Sequence, residues 1–375
     1  GTANGRWLVN GVKPNTASLP SIVSSLKTWE TIESWDIGLD WALLNNRLTG
    51  SFDYFTRYTY DMIGPAPLLP SVLGANAPQI NNCDMKSYGW ELEMSWRDRI
   101  QKFDYGVRLV VSDNLRKILR YPNETMALST YYKGQILGDI WGYQTVGIAQ
   151  TQEEMDKHLA NGGTPNWGTG WGPGDIMYAN IDGKDGVDSG ANTLDDHGDM
   201  KIIGNNTPRY NFGLTLDGAW NGLDFSIFLQ GIMKRDYMLG GPYFWGAQGD
   251  QWQSCAFGEH LDYWRPEGDP LGANTGAYYP KPYFNTDKNQ RTQTRYLQNA
   301  AYIRLKNMQI GYTLPRIWTQ KAGMESVRIY VSGDNLLTLS DISGVFDPEL
   351  LGSDWGDGKL YPLQKTISIG LNVNF

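Results

Sequence analysis

The chain has 375 residues, a formal net charge of −8 and a pI near 5.0. This acidic balance argues against nucleic acid as a partner, because a phosphate backbone is bound by clustered Lys and Arg. No apolar run approaches the ~20 residues that a membrane-spanning helix needs, whereas a membrane strand needs only every second residue to be apolar. The 44 glycines and the 13% of aromatic residues favour strands joined by Gly-rich loops.

Alternating apolar and polar residues predict nine strands in an all-β, antiparallel protein. On one predicted strand, Trp90 and Leu92 share a face, while Glu91 and Glu93 lie opposite. The face that carries the glutamates must therefore contact water. In chain order the strands are predicted near 30–44, 47–60, 85–97, 102–118, 208–220, 222–238, 296–314, 324–338 and 364–375.

The predicted connections alternate between short and long. Tight turns are expected at 44–47, 97–102 and 220–222, and a short helical linker at 314–324. Long loops are expected at 61–84, 119–207, 239–295 and 339–363. Short periplasmic turns on one rim and long extracellular loops on the other are typical of an outer-membrane β-barrel. A soluble sandwich would not carry structureless loops of this length.

Strand parity predicts that residues 1–375 are the C-terminal part of a larger barrel. If the last strand ends in the periplasm, the strand at 30–44 runs inward, so an outward strand must precede it. An open edge in lipid would leave backbone amides unpaired. On the last strand Ile367, Ile369, Leu371, Val373 and Phe375 share one face.

Five segments resemble the barrel of the SusC/RagA family, which are TonB-linked outer-membrane importers of Bacteroidetes-type bacteria. They begin with "ESWDIGLDWALLNNRLTGSFDYFTRYTYDMI" and lie at 33–63, 138–158, 199–237, 294–315 and 327–350. The resemblance implies a 22-stranded barrel, of which this chain holds roughly the last nine strands. No plug domain, TonB-interacting segment or signal peptide is recognised in the sequence.

The resemblance also implies partners and an assembly signal. A SusD-like surface lipoprotein would cover the barrel mouth, and an oligosaccharide or a peptide would be trapped between the two proteins. The TonB complex would act through the plug. The terminal aromatic, Phe375, is expected to be read by the barrel insertion machinery.

Aromatic residues in the long loops are candidates for substrate binding, because a sugar ring has an apolar face that stacks on aromatic rings. The alternative is that the rings pack on one another or face the lid protein. The candidates are Trp141, Tyr143, Trp167, Trp171, Tyr243, Phe244, Trp245, Trp252, Tyr263 and Trp264.

A Gly-rich loop at 180–199 gathers several carboxylates that could bind calcium, which takes six to eight oxygen ligands. The candidates are Asp182, Asp185, Asp188, Asp195 and Asp196. Lys184 departs from the EF-hand pattern, in which an oxygen ligand is expected at its position. The alternative is a solvated turn held by Asx-type hydrogen bonds. No other cofactor is predicted.

No catalytic arrangement is recognised. The three histidines, His158, His197 and His260, lie far apart, and no acid pair suits glycoside hydrolysis. Thr151 and Glu154 predict a capping box on a short surface helix. The cysteines, Cys83 and Cys255, lie in loop-like sequence, and their pairing is left open.

The leading functional hypothesis is therefore TonB-dependent import of an oligosaccharide, or a peptide, through an outer-membrane barrel. A passive or adhesive barrel is the first alternative, and a secreted all-β carbohydrate-binding domain is the second. A plug domain encoded upstream would favour import over the first alternative. Membrane extraction would test the second, because a barrel stays in the outer membrane until detergent is added and a secreted domain does not.

Overall fold

The computed structural model describes residues 2–5, 7–17, 24, 27–66, 77–248, 254–284, 286, 288–352 and 358–375. Its strands, in chain order, are β1 (Thr2–Asn4), β2 (Asn15–Ala17), β3 (Thr31–Leu43), β4 (Leu48–Ile63), β5 (Asn81–Ile100), β6 (Phe103–Arg120), β7 (Asp139–Tyr143), β8 (Thr145–Ile148), β9 (Ile176–Tyr178), β10 (Met200–Asn205), β11 (Arg209–Trp220), β12 (Leu223–Lys234), β13 (Asp236–Met238), β14 (Leu297–Asn299), β15 (Tyr302–Thr313), β16 (Ser326–Ser340) and β17 (Thr366–Asn374). The described residues also form three short α-helices, α1 (Gln152–His158), α2 (Pro242–Trp245) and α3 (Arg316–Thr319). A π-helical turn lies at Leu159–Gly163, and 3-10 turns lie at Gly258–Leu261 and Gln320–Ala322.

Nine of these strands form one antiparallel sheet in the order β17-β16-β15-β12-β11-β6-β5-β4-β3. Each strand pairs with the neighbouring long strand in the chain, so the nine predicted strands and their up-and-down order are confirmed. Remaining strands pair two by two outside this sheet: β1 with β2, β7 with β10, β8 with β9, and β13 with β14.

The predicted alternation of connections is also confirmed. Tight turns join β3 to β4, β5 to β6 and β11 to β12, and α3 lies in the linker between β15 and β16. At the β11–β12 turn, Asn221 has φ 48° and Gly222 has φ 89°. A two-residue hairpin of this kind needs positive φ at both central positions, which Asn-Gly supplies at little cost.

Three sequence predictions are wrong in detail. The strands predicted at 222–238 and 296–314 break at their outer ends, where β13 and β14 pair separately. Cys83 lies in β5, not in a loop, and both cysteines are free thiols. The Thr151 hydroxyl does cap α1 by accepting from the Glu154 amide at 3.1 Å. The Glu154 carboxylate, however, accepts from the Gln150 amide at 2.6 Å, and not from that of Thr151.

One face of the sheet is a continuous apolar surface. Directly paired positions on neighbouring strands share a face, so the register aligns their side chains in rows. One such row crosses β6, β11, β12 and β15 through Leu109, Leu214, Leu229 and Leu305. Since no other part of the described chain covers this face, many of its side chains are exposed, among them Ile37 at 71% and Ile369 at 79%.

The opposite face is polar and carries paired charges. Arg108 on β6 lies 2.9 Å from Glu93 on β5. Arg328 on β16 donates to the Asp224 carboxylate on β12 at 2.9 Å. Charged pairs on one face and aliphatic rows on the other fit a wall with water on one side and hydrocarbon on the other.

Within the described residues the sheet is not closed, because β3 and β17 each pair along one edge only. The exposed apolar side chains of β17 and Phe375, which is 89% exposed, lie beside this open edge. An open edge of this kind matches the prediction of a partial barrel. Among the described residues, no helix is long and apolar enough to cross a membrane.

The buried core of the molecule lies in the long loops. Its side chains come from three connections: β6 to β11, β12 to β15, and β16 to β17. Tyr178, Phe244 and Tyr296 are each 0% exposed within it. These loops are therefore packed structures, in contrast to the sheet, whose apolar face is open.

Candidate functional site

Five of the predicted substrate-binding rings are buried in the loop core. Phe244 is at the centre, with ring centroids 5.0 Å from Trp245 and 5.6 Å from Tyr279. The five are Tyr143, Trp171, Phe244, Trp245 and Trp264, all at most 9% exposed. Packing of rings on one another, the alternative interpretation, accounts for most of their surface.

Trp141, Trp167, Tyr243 and Tyr263 are half-buried and keep some ring surface accessible. The Trp141 indole donates to the Tyr132 hydroxyl at 3.2 Å, and Tyr243 stacks on Phe257 with centroids 5.6 Å apart. Substrate contact by this group stays a prediction. Trp252, the remaining candidate, lies outside the described residues.

A buried ion pair joins two of the long loops. The Lys288 ammonium lies 2.8 Å from the Asp175 carboxylate, and their side chains are 3% and 0% exposed. Lys288 also donates to the Gly170 carbonyl at 3.1 Å, and Asn289 donates to Asp175 at 2.9 Å. Because every charge here has several partners, the pair can hold the loops together without an uncompensated buried ion.

Beside this pair, Gln293 is 0% exposed and fully hydrogen-bonded. Its amide nitrogen donates to the Asn289 carbonyl at 2.9 Å, and its oxygen accepts from the Thr145 hydroxyl at 2.8 Å. The Tyr178 hydroxyl donates to the Lys288 carbonyl at 2.8 Å, and burial raises the pKa of Tyr178. Tyr178 therefore stays neutral and acts as a structural donor.

The acidic loop at 180–199 is organised by backbone hydrogen bonds. The Asp199 carboxylate, 1% exposed, accepts from the amides of Ile181 at 2.6 Å and Asp188 at 2.9 Å. The Lys184 ammonium lies 3.1 Å from Asp182 and 3.4 Å from Asp196.

Among the candidate calcium ligands, a hydrogen bond from the Lys184 amide lowers the pKa of Asp182. A hydrogen bond from the Ala191 amide lowers the pKa of Asp196. The Lys184 ammonium lowers both pKa values further. Asp188 accepts from the Gly190 amide at 2.7 Å, while Asp185 and Asp195 are exposed. In the described part of the chain, no three His, Cys, Asp or Glu side chains are grouped to hold a metal ion. Calcium binding stays a prediction, and the visible arrangement is that of Asx turns.

A cavity of about 390 Å³ opens in the connection between β12 and β15. Trp245 and Tyr263 line it, but most of its wall comes from residues that the sequence analysis did not select, including Tyr279, Tyr283 and Gln290. The run "YYPKPYF" at 278–284 was the available signal, since it concentrates aromatic and proline residues.

The last long loop is anchored on the polar face of the sheet. Arg304 of β15, 4% exposed, lies 2.7 Å from Asp347, and Lys306 lies 2.9 Å from Glu349. These contacts draw residues 347–349 over the polar face, at the end where the long loops gather. The loops thus form a packed rim above the polar wall.

The comparisons with known proteins bear directly on this combination of wall and loops. The family model described as TonB dependent receptor-like, beta-barrel matches residues 8–336. The chain belongs to this family. It is a segment of a bacterial outer-membrane β-barrel whose apolar face meets lipid and whose polar face lines the lumen.

Curated relatives match almost the whole chain. TonB-dependent receptor P3 of Formosa agariphila is 28% identical, over 98% of this chain and 36% of the relative. TonB-dependent receptor SusC of Bacteroides thetaiotaomicron is 23% identical, over 96% of this chain and 33% of the relative. The chain thus spans about a third of the length of these relatives.

Solved structures have the same fold. The RagAB peptide transporter matches with a TM-score of 0.67 and 21% identity, over 100% of this chain and 38% of that chain. The RagAB peptide importer in its open-open state matches with a TM-score of 0.68 and 20% identity, over 100% of this chain and 37% of that chain. The nine-stranded wall and its loops therefore follow the fold of a SusC/RagA-type barrel.

Proposed function

We propose that the protein containing this chain imports a nutrient oligomer, an oligosaccharide or a peptide, across the outer membrane. A TonB complex would supply the energy through a plug domain encoded upstream of this chain. A SusD-like surface lipoprotein would close over the mouth of the barrel. The observation that carries this proposal is the family match over residues 8–336, on a wall with packed loops at one end.

One of the similar proteins, the RagAB peptide transporter, has a name that states its cargo, and it supports the peptide alternative. SusC and the RagAB peptide transporter are both similar to this chain along nearly its whole length. The loops here also present half-buried aromatic residues, which suit either a sugar ring or a peptide side chain. We propose no catalytic role, because the matching family and the curated relatives are described as receptors.

The passive or adhesive barrel is the competing hypothesis, and it differs in its energy requirement. The secreted all-β domain is not proposed further, because the chain belongs to a family of outer-membrane barrels. An importer of this class would lose its activity when TonB is removed, whereas a passive pore or an adhesin would not.

The proposal is tested by deleting the full-length gene in frame and growing the bacterium on defined oligosaccharides and on casein peptides as sole nutrients. Growth on at least one of them should be lost, should return with the wild-type gene, and should also be lost when TonB is deleted. A tagged copy purified in mild detergent should bring down a surface lipoprotein. Growth that needs the gene but not TonB would establish a passive pore instead.

A further inference from the structure

Two lysines lie opposite each other on the lipid side of the wall. Lys86 of β5 and Lys117 of β6 are direct partners in the register of the two strands. Met94 and Leu109, another direct pair of β5 and β6, belong to the apolar face. Each lysine is an even number of residues from its strand's member of that pair, and alternate residues of a strand share a face. Both lysines therefore point to the side that meets lipid.

The described residues do not neutralise this pair of charges. Like charges directly opposite each other destabilise a sheet. The Lys86 ammonium lies 5.1 Å from the centre of the Tyr58 ring and 5.3 Å from that of Tyr88, contacts that attract a cation but carry no negative charge. The nearby ion pairs in this part of the structure use other residues, such as Arg120 with Asp84 at 2.7 Å.

The row of paired residues that contains the two lysines holds one carboxylate. It starts at Glu33 on β3 and passes Tyr58 on β4 before it reaches Lys86 and Lys117. The Glu33 carboxylate accepts from the Trp35 indole at 3.0 Å. Two strand spacings, about 10 Å in total, separate Glu33 from Lys86, so salt screens their attraction. The two ammoniums therefore remain without a carboxylate partner beside them.

The lysines lie at the outer edge of the membrane. Trp96, near the short turns, donates to the Tyr105 hydroxyl at 3.3 Å and marks the inner aromatic girdle. Lys86 lies ten residues from Trp96 along β5. At ~3.3 Å per residue and a tilt of ~40°, this separation gives about 25 Å of height, which is that of the apolar band of such a barrel. Tyr58 and Tyr60, stacked with centroids 5.8 Å apart, form the outer girdle beside Lys86.

The groups that surround the protein at this level are the head groups of the outer leaflet. Lipid head groups that carry negative charge attract lysine side chains near the membrane surface. A lysine ammonium is a compact charge that binds phosphate well. A phosphate between the two ammoniums would replace their repulsion by two charge-assisted hydrogen bonds.

We propose that Lys86 and Lys117 together bind a phosphate group of the anionic glycolipid of the outer leaflet, lipid A. Its acyl chains would pack on the apolar face below the two lysines. The lipid thus becomes a fixed component of the barrel at this point of its circumference. This inference goes beyond import, because it concerns the lipid side of the wall and is independent of the cargo in the lumen.

Binding is measured by native mass spectrometry of the full-length protein, purified in detergent and freed of bound lipid. Lipid A that carries its phosphates should form a complex with the protein. Lipid A without its phosphates should bind about tenfold more weakly, because the charged hydrogen bonds are lost. Inorganic phosphate in large excess should not displace lipid A, since it lacks the acyl chains that pack on the apolar face.

Three variants and one control locate the site. Lys86→Gln and Lys117→Gln should each weaken lipid A binding about tenfold, because each removes one of the two charges. Lys117 is exposed, so its substitution leaves the packing intact. Lys86→Arg combined with Lys117→Arg should keep the binding. Lys102→Gln, at an exposed position of the turn between β5 and β6, changes a lysine at the inner end of the same strands and should bind as the wild type does.

Thermal unfolding of the same samples separates lipid binding from a structural role. Without lipid, Lys117→Gln should unfold at a slightly higher temperature than the wild type, because the repulsion between the lysines is removed. Lipid A should raise the unfolding temperature of the wild type and not that of Lys117→Gln. If the lysine stabilised the barrel by itself, its substitution would lower the unfolding temperature without lipid.

The proposal is overturned if the wild type binds no lipid A, or if lipid A without phosphates binds as tightly as the phosphorylated lipid. It is also overturned if inorganic phosphate displaces the lipid, because the site would then be one for a free anion. Wild-type binding by Lys117→Gln would exclude the lysine pair. Equal losses in Lys117→Gln and Lys102→Gln would do the same, since binding would then follow total charge and not this site.

Discussion

At the scale of single residues, burial identifies side chains that hold the loops together. Lys288 and Asp175 are two opposite charges inside the loop core, with side chains 3% and 0% exposed. Removing one partner of such a pair leaves the other charged and buried, which costs much more than the pair itself contributes.

Lys288→Ala should therefore destabilise the packing of the two longest loops by about 3–5 kcal/mol. Hydrogen exchange of the loop amides in the purified full-length protein measures this loss. Lys184→Ala removes an exposed ion pair from the acidic loop and should change the exchange very little. Equal effects of the two substitutions would contradict the structural role assigned to Lys288.

His158, at the end of α1, gives a pH dependence with a definite sign. Burial lowers the pKa of this imidazole below its ordinary value of 6.5, so the folded state binds the proton less readily than the unfolded state. The local stability of α1 should be constant above pH 7.5 and should fall as the pH drops through 6.5. Hydrogen exchange at pH 7.5 and 5.5, corrected for intrinsic rates, measures the change, and His158→Gln should remove it.

The residue scale is also where the sequence predicted least. The local sequence around Trp245 does not indicate whether its ring binds a ligand or packs in a core. Its packing partner, Tyr296, lies 51 residues away in the chain. The hydrogen bond from the Gln290 amide nitrogen to the Ala247 carbonyl could not be predicted either, since the two residues belong to distant segments of the chain. Only the general enrichment of aromatic residues in the loops was readable.

At the scale of elements, strands were predicted well because their pattern is local. Alternation with period two depends on neighbours in the chain, and lipid on one side with water on the other enforces it along every strand. The errors fall at the outer ends, where β13 and β14 leave the wall and enter the loop core. There tertiary packing replaces the lipid–water boundary, and the alternation no longer indicates the sheet.

The two faces of β12 should respond differently to charge. Ile227→Arg places a cation on the lipid side and should destabilise the barrel by about 2–4 kcal/mol near the bilayer midplane. Ser226→Arg, one residue earlier on the lumen face and paired with Asp217, should be tolerated. The fraction of heat-resistant folded barrel on a gel measures both. Loss with Ser226→Arg alone would reverse the assigned faces.

The last strand, β17, should matter for assembly more than for binding. Deletion of Phe375, or Phe375→Asp, is expected to lower the amount of protein in the outer membrane, because the terminal aromatic strand is proposed to be read by the insertion machinery. Asn372→Ala, on the other face of β17, serves as the control. Normal outer-membrane levels of the deletion would contradict this role.

At the scale of the whole molecule, the chain divides into an open wall and a packed rim. The wall follows from register, since rows such as Leu109, Leu214 and Leu229 stay on one face across the sheet. The rim follows from long-range pairs such as Lys288 with Asp175. The family match accounts for both, and the chain's coverage of about a third of its relatives explains why the sheet stays open.

The most direct test of this account is the topology of the barrel in living cells. Single cysteines are placed at Leu271, in the β12–β15 loop, and at Asn45, in the β3–β4 turn, in full-length protein with Cys83→Ser and Cys255→Ser. A membrane-impermeant maleimide should label position 271 on intact cells, and position 45 only after the outer membrane is opened. Labelling of position 45 on intact cells would contradict the outer-membrane barrel described here.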